Sequence, residues 1–131
     1  MTSDAPQPAG RITGLGGVFF KSRDPAALAA WYRETLGIGV EGWDGAMFAP
    51  APDGPPFQLW SPFQESSDYF APSPAPFMIN FAVDDLDAFL VRLAGKGVEI
   101  LKRDDSDANG KFAWILDPDG TKLELWEPNR D

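Results

Sequence analysis

The chain has 131 residues, a formal net charge of −9, and neither cysteine nor histidine. This composition excludes disulfides, thiolate metal sites, thiol nucleophiles, imidazole ligands and every catalytic triad that contains histidine. The length suits one domain with its own core, and the negative charge argues against nucleic acid or an anionic membrane surface as a partner. No apolar run approaches the roughly 20 residues that span a bilayer, and the polar, proline-rich start lacks a signal-peptide pattern. We therefore expect residues 1–10 to be a disordered lead-in, and 11–131 to be a single cytoplasmic domain.

The first half of this domain, about residues 12–62, predicts a strand, a helix and three short extended segments. Residues 12–21 alternate as a strand does, and Asp24-Pro25 is typical of a helix start, because Asp suits the N-cap and Pro the first turn. The helix should end at Gly37. A buried helical stripe is predicted at Leu28, Trp31, Tyr32 and Leu36. The extended segments, which Gly and Pro separate, are predicted at about 38–43, 46–49 and 57–62.

The linker at 63–76 contains several prolines and separates this half from a second copy of the same pattern. Within it, Asp68-Tyr69-Phe70 is interpreted as a surface loop, and folding over a pocket is the alternative.

The second half, about residues 77–128, begins with an alternating strand at 77–83 and a helix that Asp84-Asp85 should cap. Gly95 or Gly97 should end this helix. Its buried stripe is predicted at Leu86, Phe89, Leu90 and Leu93. Strands are predicted at 98–103, 111–116 and 121–127, the last of them after a tight turn at 117–120.

The closing strands of the two halves resemble each other in sequence. Phe57-Gln58-Leu59-Trp60-Ser61-Pro62 is echoed by Leu123-Glu124-Leu125-Trp126-Glu127-Pro128. Because side chains alternate across a strand, Gln58 shares a face with Trp60, and Glu124 shares a face with Trp126. The pattern predicts an α+β fold of two tandem β-α-β-β-β modules that aim these four side chains at one common surface.

Several motifs carry a resemblance to a known superfamily. They are Arg23-Asp24-Pro25 through Trp31-Tyr32 and Leu36-Gly37-Ile38, then Val83-Asp84-Asp85-Leu86, Gly95-Lys96-Gly97-Val98, and the run from Asp117 to Pro128. Together they resemble the vicinal oxygen chelate superfamily, which contains glyoxalases, bleomycin-resistance proteins and extradiol dioxygenases. The resemblance implies paired modules whose curved mixed sheets enclose a cavity, usually in a homodimer.

The resemblance also implies four cavity positions, at Gly17, Gln58, Met78 and Glu124. In metal-dependent members, the first and last strand of each module supply the ligands, and histidine is usual on the first strands. Here Gly17 offers no side chain and Met78 only a soft thioether, so one amide and one carboxylate remain. We therefore expect no cofactor, and a divalent metal ion stays an open alternative.

Two classes of function fit these residues. The first is a metal-free protein that binds a small apolar or aromatic molecule, for which the acidic charge favours a cation. The second is an enzyme: a lyase, isomerase or dioxygenase with a degenerate metal site, or a metal-free enzyme with Glu124 as catalytic base. A third hypothesis is a pseudo-enzyme in which only the dimer surface matters. The candidate ligand-binding residues, each of which could instead be structural, are Phe19, Gln58, Trp60, Met78, Trp114, Glu124 and Trp126.

Overall fold

The computed structural model describes residues 9–36, 38–48 and 55–129. Their elements are β1 (Ile12–Ser22), α1 (Pro25–Trp31) followed by a π-helical turn (Tyr32–Leu36), β2 (Ala46–Phe48), β3 (Gln58–Gln64), β4 (Phe77–Val83), α2 (Leu86–Gly95), β5 (Lys102–Asp107), β6 (Gly110–Leu116) and β7 (Lys122–Pro128). Most of the predicted lead-in, the predicted helix end at Gly37 and the end of the 46–49 segment lie outside the described residues. In the part that is described, no helix has the length and apolar character needed to cross a membrane.

Seven strands form one mixed sheet in the order β2-β3-β1-β4-β7-β6-β5. The first strand of each half pairs in parallel with the last strand of that half, β1 with β3 and β4 with β7. The two first strands, β1 and β4, pair with each other in antiparallel fashion and join the halves. This architecture confirms the predicted α+β class and the paired modules.

Both helices begin where the sequence predicts. Asp24 and Asp85 are the N-caps, and each carboxylate accepts a hydrogen bond of 3.0 Å from the backbone N–H three residues later. These bonds satisfy donors that a helix start otherwise leaves free. The predicted tight turn at 117–120 is also present: the Gly120 amide donates to the Asp117 carbonyl oxygen at 2.9 Å, and Gly120 has a φ of +84°. Such a φ is accessible to glycine without steric cost.

Two details of the first half differ from prediction. The segment 38–43 is not a strand, because only Val40 forms an isolated bridge, to Ala46. Trp31 was expected in a buried stripe but is 52% exposed, whereas Leu28 and Tyr32 are partly buried. The wider π-helical turn starts directly after Trp31, so the ordinary helical spacing does not continue there.

The second half has the predicted helix stripe but a shifted strand. Leu86 and Leu90 of α2 are buried, and Phe89 and Leu93 pack beside them against β6 and β7. The strand expected at 98–103 begins only at Lys102 and continues to Asp107. The segment before it follows α2 closely and joins β6 only through the Leu101 amide, which donates to the Trp114 carbonyl oxygen at 2.8 Å.

The linker folds back over the sheet and is anchored there by Phe70. Phe70 is completely buried, in a core cluster with Phe19, Met78 and Trp114. The interpretation of 68–70 as a surface loop is therefore wrong for Phe70, whereas Asp68 and Tyr69 remain exposed. The alternative, folding over a pocket, describes the segment, since Tyr69 lines a cavity. Burial of the large aromatic side chain of Phe70 gives the physical reason.

Candidate functional site

Strand register places a row of functional side chains on one face of the second half. Asn80 of β4 pairs with Glu124 of β7, Glu124 pairs with Trp114 of β6, and Trp114 pairs with Lys102 of β5. Side chains of directly paired residues project to the same face of a sheet. The row lies on the face that the linker covers, which we call the concave face.

Glu124 is the centre of this row and is only 2% exposed. Its Oε1 accepts a hydrogen bond of 2.6 Å from Asn80 Nδ2, and its Oε2 accepts one of 2.9 Å from Trp114 Nε1. The Tyr69 hydroxyl also donates to Oε2. All three donors are neutral, so among the described residues the buried carboxylate is held by hydrogen bonds and not by an ion pair. Because Oε1 receives only one of them, it can accept another.

Tyr69 reaches Glu124 from the linker. Burial raises the pKa of the Tyr69 hydroxyl, and the negative charge of Glu124 raises this pKa further. The hydroxyl therefore stays protonated and remains a donor at neutral pH. Lys122 fixes the backbone here, since its Nζ donates to the Tyr69 carbonyl oxygen at 2.6 Å and lies 5.2 Å from the centre of the Tyr69 ring.

A cavity of about 290 Å³, the inner cavity, opens beside Glu124 on the concave face. Its polar lining comes from Ser61, Tyr69, Asn80, Asn109 and Glu124. Its apolar walls are formed by Phe19, Trp43, Phe57, Leu59, Phe63, Phe112 and Trp126. Aromatic walls around a few polar groups are typical of small-molecule sites.

Three of the seven candidate residues line the inner cavity: Phe19, Glu124 and Trp126. The Trp126 indole is held in place by a 2.8 Å hydrogen bond from its Nε1 to the Asn109 carbonyl oxygen. Met78 is completely buried in the core. Trp114 donates a hydrogen bond to Glu124 and also lines a neighbouring cavity. The candidate roles of these side chains in ligand binding stay predictions.

Gln58 and Trp60 lie on the opposite face of the sheet. Gln58 Nε2 donates to the Leu15 carbonyl oxygen at 3.2 Å, and the Trp60 ring packs 5.3 Å from Phe20 and 4.5 Å from Tyr32. The residues of this segment that line the inner cavity are instead Phe57, Leu59, Ser61 and Phe63. The expectation that Gln58 and Glu124 share one surface is wrong, since β3 presents its odd-numbered residues where β7 presents its even-numbered ones.

The first strands also present residues other than those expected. In β4, Asn80 and not Met78 pairs with Glu124 and lines the cavity. In β1, a register shift between Leu15 and Gly17 brings Gly16 to the cavity instead of Gly17. Counting back a fixed number of residues from the helix caps misses the shift in β1, because a bulge inserts a residue into one strand only. In β4 the count is wrong by two residues, so Met78 and Asn80 lie on the same face and only the position along the strand differs.

Gly16 and Asn80 are in close contact. A Cβ atom on Gly16 would lie 2.0 Å from Asn80 Oδ1 and 2.9 Å from Trp126 Cε3. Asn80 is 3% exposed, and its Oδ1 has no hydrogen-bond partner within the described residues. A Cα–H of Gly16 points at this oxygen and offers it a weak contact. Only glycine fits here while Asn80 keeps its bond to Glu124.

Asn80 is the main residue that sequence reasoning missed, and Tyr69 entered it only through the alternative in which 68–70 folds over a pocket. A signal for Asn80 existed, because it is the one amide among Met78, Asn80 and Ala82 on a buried strand face. Tyr69 had a weaker signal, since two adjacent aromatic residues in a linker are costly to leave in water.

The residues present do not fit a divalent metal ion. Gly16 has no side chain, Gln58 lies on the other face, and Asn80 is bonded to Glu124, which leaves one carboxylate. Across 9–36, 38–48 and 55–129, no group of three or more His, Cys, Asp or Glu side chains is placed to hold a metal. A catalytic metal site usually needs about three protein ligands.

Comparison with known proteins places the chain in a family. Residues 17–126 match the family described as "Glyoxalase-like domain". No curated protein matches the sequence. Among solved structures, methylmalonyl-CoA epimerase from Mycobacterium tuberculosis is 24% identical, with a TM-score of 0.66 over 97% of this chain and 95% of that chain.

Two further structures agree with this fold at lower identity. A variant of Streptomyces coelicolor methylmalonyl-CoA epimerase in complex with 2-nitronate-propionyl-CoA is 20% identical, with a TM-score of 0.68 over 92% of this chain and 100% of that one. A glyoxalase/bleomycin resistance protein/dioxygenase superfamily member from Vibrio splendidus 12B01 is 13% identical, with a TM-score of 0.53 over 84% and 95% of the respective chains. At these identities the structures show a common fold. Because the matching family model covers residues 17–126, most of the chain, the chain belongs to the glyoxalase-like domain family.

Proposed function

We propose that this protein binds a small, flat, largely aromatic or apolar molecule in the inner cavity, without a metal ion. The observation that carries the proposal is the position of Glu124, a buried carboxylate held by three neutral donors beside aromatic walls. Binding buries the apolar part of the molecule against Phe57, Phe112 and Trp126. A hydrogen-bond donor on the molecule then meets Glu124 Oε1, which has acceptor capacity left.

The charge of Glu124 favours a cationic ligand. No positively charged side chain within the described residues donates to this carboxylate, so its charge is not neutralised by direct contact. An ammonium or similar group would supply that neutralisation beside a carboxylate that is itself buried, where charge interactions are stronger than in bulk solvent. The net charge of −9 also attracts cations at long range.

A catalytic function with Glu124 as base is the second candidate, favoured by the position of this carboxylate on the cavity wall. The two functions differ in the chemical state of the molecule after binding. A binding protein returns it unchanged after long incubation, whereas an enzyme does not.

The test is a ligand screen by heteronuclear NMR with aromatic amines and their neutral, isosteric hydrocarbons. We expect saturable binding at inner-cavity residues, an advantage of the amines, and loss of that advantage in Glu124→Gln. The matched control is Gln58→Leu, which changes a polar side chain on the opposite face and should leave binding unchanged. Absence of binding by any compound of this class, or an equal effect of both variants, would contradict the proposal.

Elemental analysis tests the metal-free part of the proposal. Protein purified without chelator should retain no stoichiometric divalent ion, also after soaking in divalent salts. Retention of about one ion per chain, lost in Glu124→Gln, would contradict the metal-free proposal and would favour a metal-dependent lyase, isomerase or dioxygenase reaction.

The assembly and the location are part of the same proposal. We infer a homodimer, as the resemblance implies, in the cytoplasm, as expected from a start without a signal-peptide pattern. Light scattering coupled to size exclusion gives the mass in solution and decides between a dimer and a 14.3 kDa monomer.

A further inference from the structure

A second cavity lies on the concave face, on the other side of Tyr69. This outer cavity of about 460 Å³ is lined by Lys102, Lys122, Trp114, Leu101, Asp68, Tyr69, Ala71 and Pro72. Tyr69 borders both cavities. The inner cavity carries the carboxylate of Glu124, and the outer cavity carries two ammonium groups, so the linker separates regions of opposite charge.

The two lysines converge on one indole ring. Lys102 Nζ lies 5.9 Å and Lys122 Nζ 5.8 Å from the centre of the Trp114 ring. Lys102 is at the start of β5 and Lys122 at the start of β7, and β6 lies between them. Strand pairing therefore fixes the backbone positions of Lys102 and Lys122 on either side of Trp114.

The positive charges are not neutralised by ion pairs. Neither lysine forms a salt bridge within the described residues, although the chain has 20 acidic side chains. Asp68 lines the same cavity and acts on Lys122 only at longer range. Burial lowers the pKa of Lys122 and the charge of Lys102 lowers it further, whereas the negative charges of Glu124 and Asp68 partly offset this by raising it. Two cations that repel each other beside a cavity are stabilised by an anion placed between them.

We propose that the outer cavity is an anion site, in which Lys102 and Lys122 together bind the oxygen atoms of a carboxylate or a phosphate group. Trp114 forms the apolar floor, and its N–H group is unavailable to the anion because it donates to Glu124. The site is independent of what the inner cavity binds. It also stands whether the anion is free or is part of a larger molecule.

The experiment is an NMR titration of the intact protein with inorganic phosphate and, separately, with benzoate, at constant ionic strength maintained with chloride. Saturable shifts of the Trp114 indole N–H and of residues around 101–103 and 121–123 are expected with at least one of the two anions. Stronger binding of phosphate would identify a phosphate group as the ligand chemistry, and stronger binding of benzoate would identify an aromatic carboxylate.

Charge-removing variants connect the shifts to the lysines. Lys102→Gln and Lys122→Gln should each weaken anion binding roughly tenfold, because each removes a hydrogen bond to a charged group. Lys111→Gln is the matched control, since Lys111 lies near Asp87, at 3.8 Å, and lines neither cavity. The proposal is overturned if neither anion binds saturably, if chloride alone produces the shifts, or if Lys111→Gln weakens binding as much as the two cavity variants.

Discussion

The closing strands β3 and β7 have nearly the same sequence pattern but opposite orientations toward the cavity. In β7, Glu124 and Trp126 face the inner cavity. In β3, the matching Gln58 and Trp60 face the other way, and Trp60 packs on Tyr32 beneath α1. A sequence repeat therefore identifies two related strands without determining which face of each strand meets the cavity.

The register of the first strands explains this difference. β4 aligns Asn80 with Glu124, whereas β1 aligns Gly17 with Leu59, and β1 has a register shift just before Gly17. Since the side-chain period of a strand is two, a displacement of one residue exchanges its faces. The two modules thus share their topology, and only the second supplies a carboxylate to the cavity.

The largest expected effect comes from removing the carboxylate of β7. Glu124→Ala leaves the buried donors of Asn80, Trp114 and Tyr69 without their acceptor, so we expect the free energy of unfolding to fall by about 3 kcal/mol. Gln58→Ala removes one longer hydrogen bond on the other face and should lower it by only about 1 kcal/mol. Urea unfolding followed by circular dichroism measures both.

Equal losses in the two variants would contradict the asymmetry between the strands. Glu124→Gln serves as a second variant that keeps the side-chain shape, and it should fall between wild type and Glu124→Ala. If Glu124→Gln were as stable as wild type, the three donors would not depend on the carboxylate.

The sequence predicts the fold better than it predicts the site. Helix starts at Asp24 and Asp85 and the turn at 117–120 follow from local chemistry, in which capping and turn residues act within a few positions. The position of Glu124 on the cavity wall agrees with the expectation from the resemblance, and its role stays a prediction. The orientation of Gln58 could not be predicted, because the register of β3 on β1, in which Leu59 and not Gln58 pairs with Gly17, decides it. The hydrogen bond from Tyr69 to Glu124 joins residues 55 positions apart, so no local sequence pattern predicts it.

A second expected effect concerns Gly16, the residue of β1 that lies against Asn80. Gly16→Ala places a methyl group into Asn80 Oδ1 and the Trp126 ring, so we expect a loss of about 1–3 kcal/mol in the free energy of unfolding. The same variant should weaken ligand binding in the inner cavity, since Asn80 and Trp126 both line it. Thermal and urea unfolding, together with the ligand titration, measure these changes.

Gly95→Ala is the control for the glycine prediction. A Cβ on Gly95 meets nothing within 4 Å, and alanine is favoured in a helix, so stability should be unchanged or rise by up to about 1 kcal/mol. A Gly16→Ala protein as stable as Gly95→Ala would show that Asn80 is not held as tightly as the geometry indicates.

A third expected effect tests the linker. Its residue Tyr69 donates a hydrogen bond to Glu124 of β7, whereas Gln58 of β3 bonds to Leu15. Tyr69→Phe keeps the ring that stacks on Phe63 and removes only the hydroxyl, so the loss should be about 1.5 kcal/mol. Tyr32→Phe is the matched control, because the Tyr32 hydroxyl has no hydrogen-bond partner among the described residues, and its loss should stay below about 0.5 kcal/mol. Denaturant midpoints at neutral pH compare the two, and a larger effect of Tyr32→Phe would contradict the assignment.

The smallest expected effect is a pH dependence that only the Tyr69 hydroxyl can produce. The pKa of Tyr69 is raised in the folded protein by burial and by the charge of Glu124, whereas the pKa of a tyrosine in an unfolded chain is about 10. Above this pH the unfolded chain releases the phenolic proton while the folded protein retains it, so stability falls as pH rises. Below about pH 10 the contribution is fully present. The stability advantage of wild type over Tyr69→Phe should therefore be constant from about pH 7 to about pH 9 and shrink toward about pH 11.

Urea unfolding of both proteins across this range isolates the effect, because the lysines and Tyr32 titrate in both. If the difference instead stayed constant to the alkaline end, Tyr69 would ionise alike in the folded and unfolded states, and its hydroxyl would not be the buried partner of Glu124.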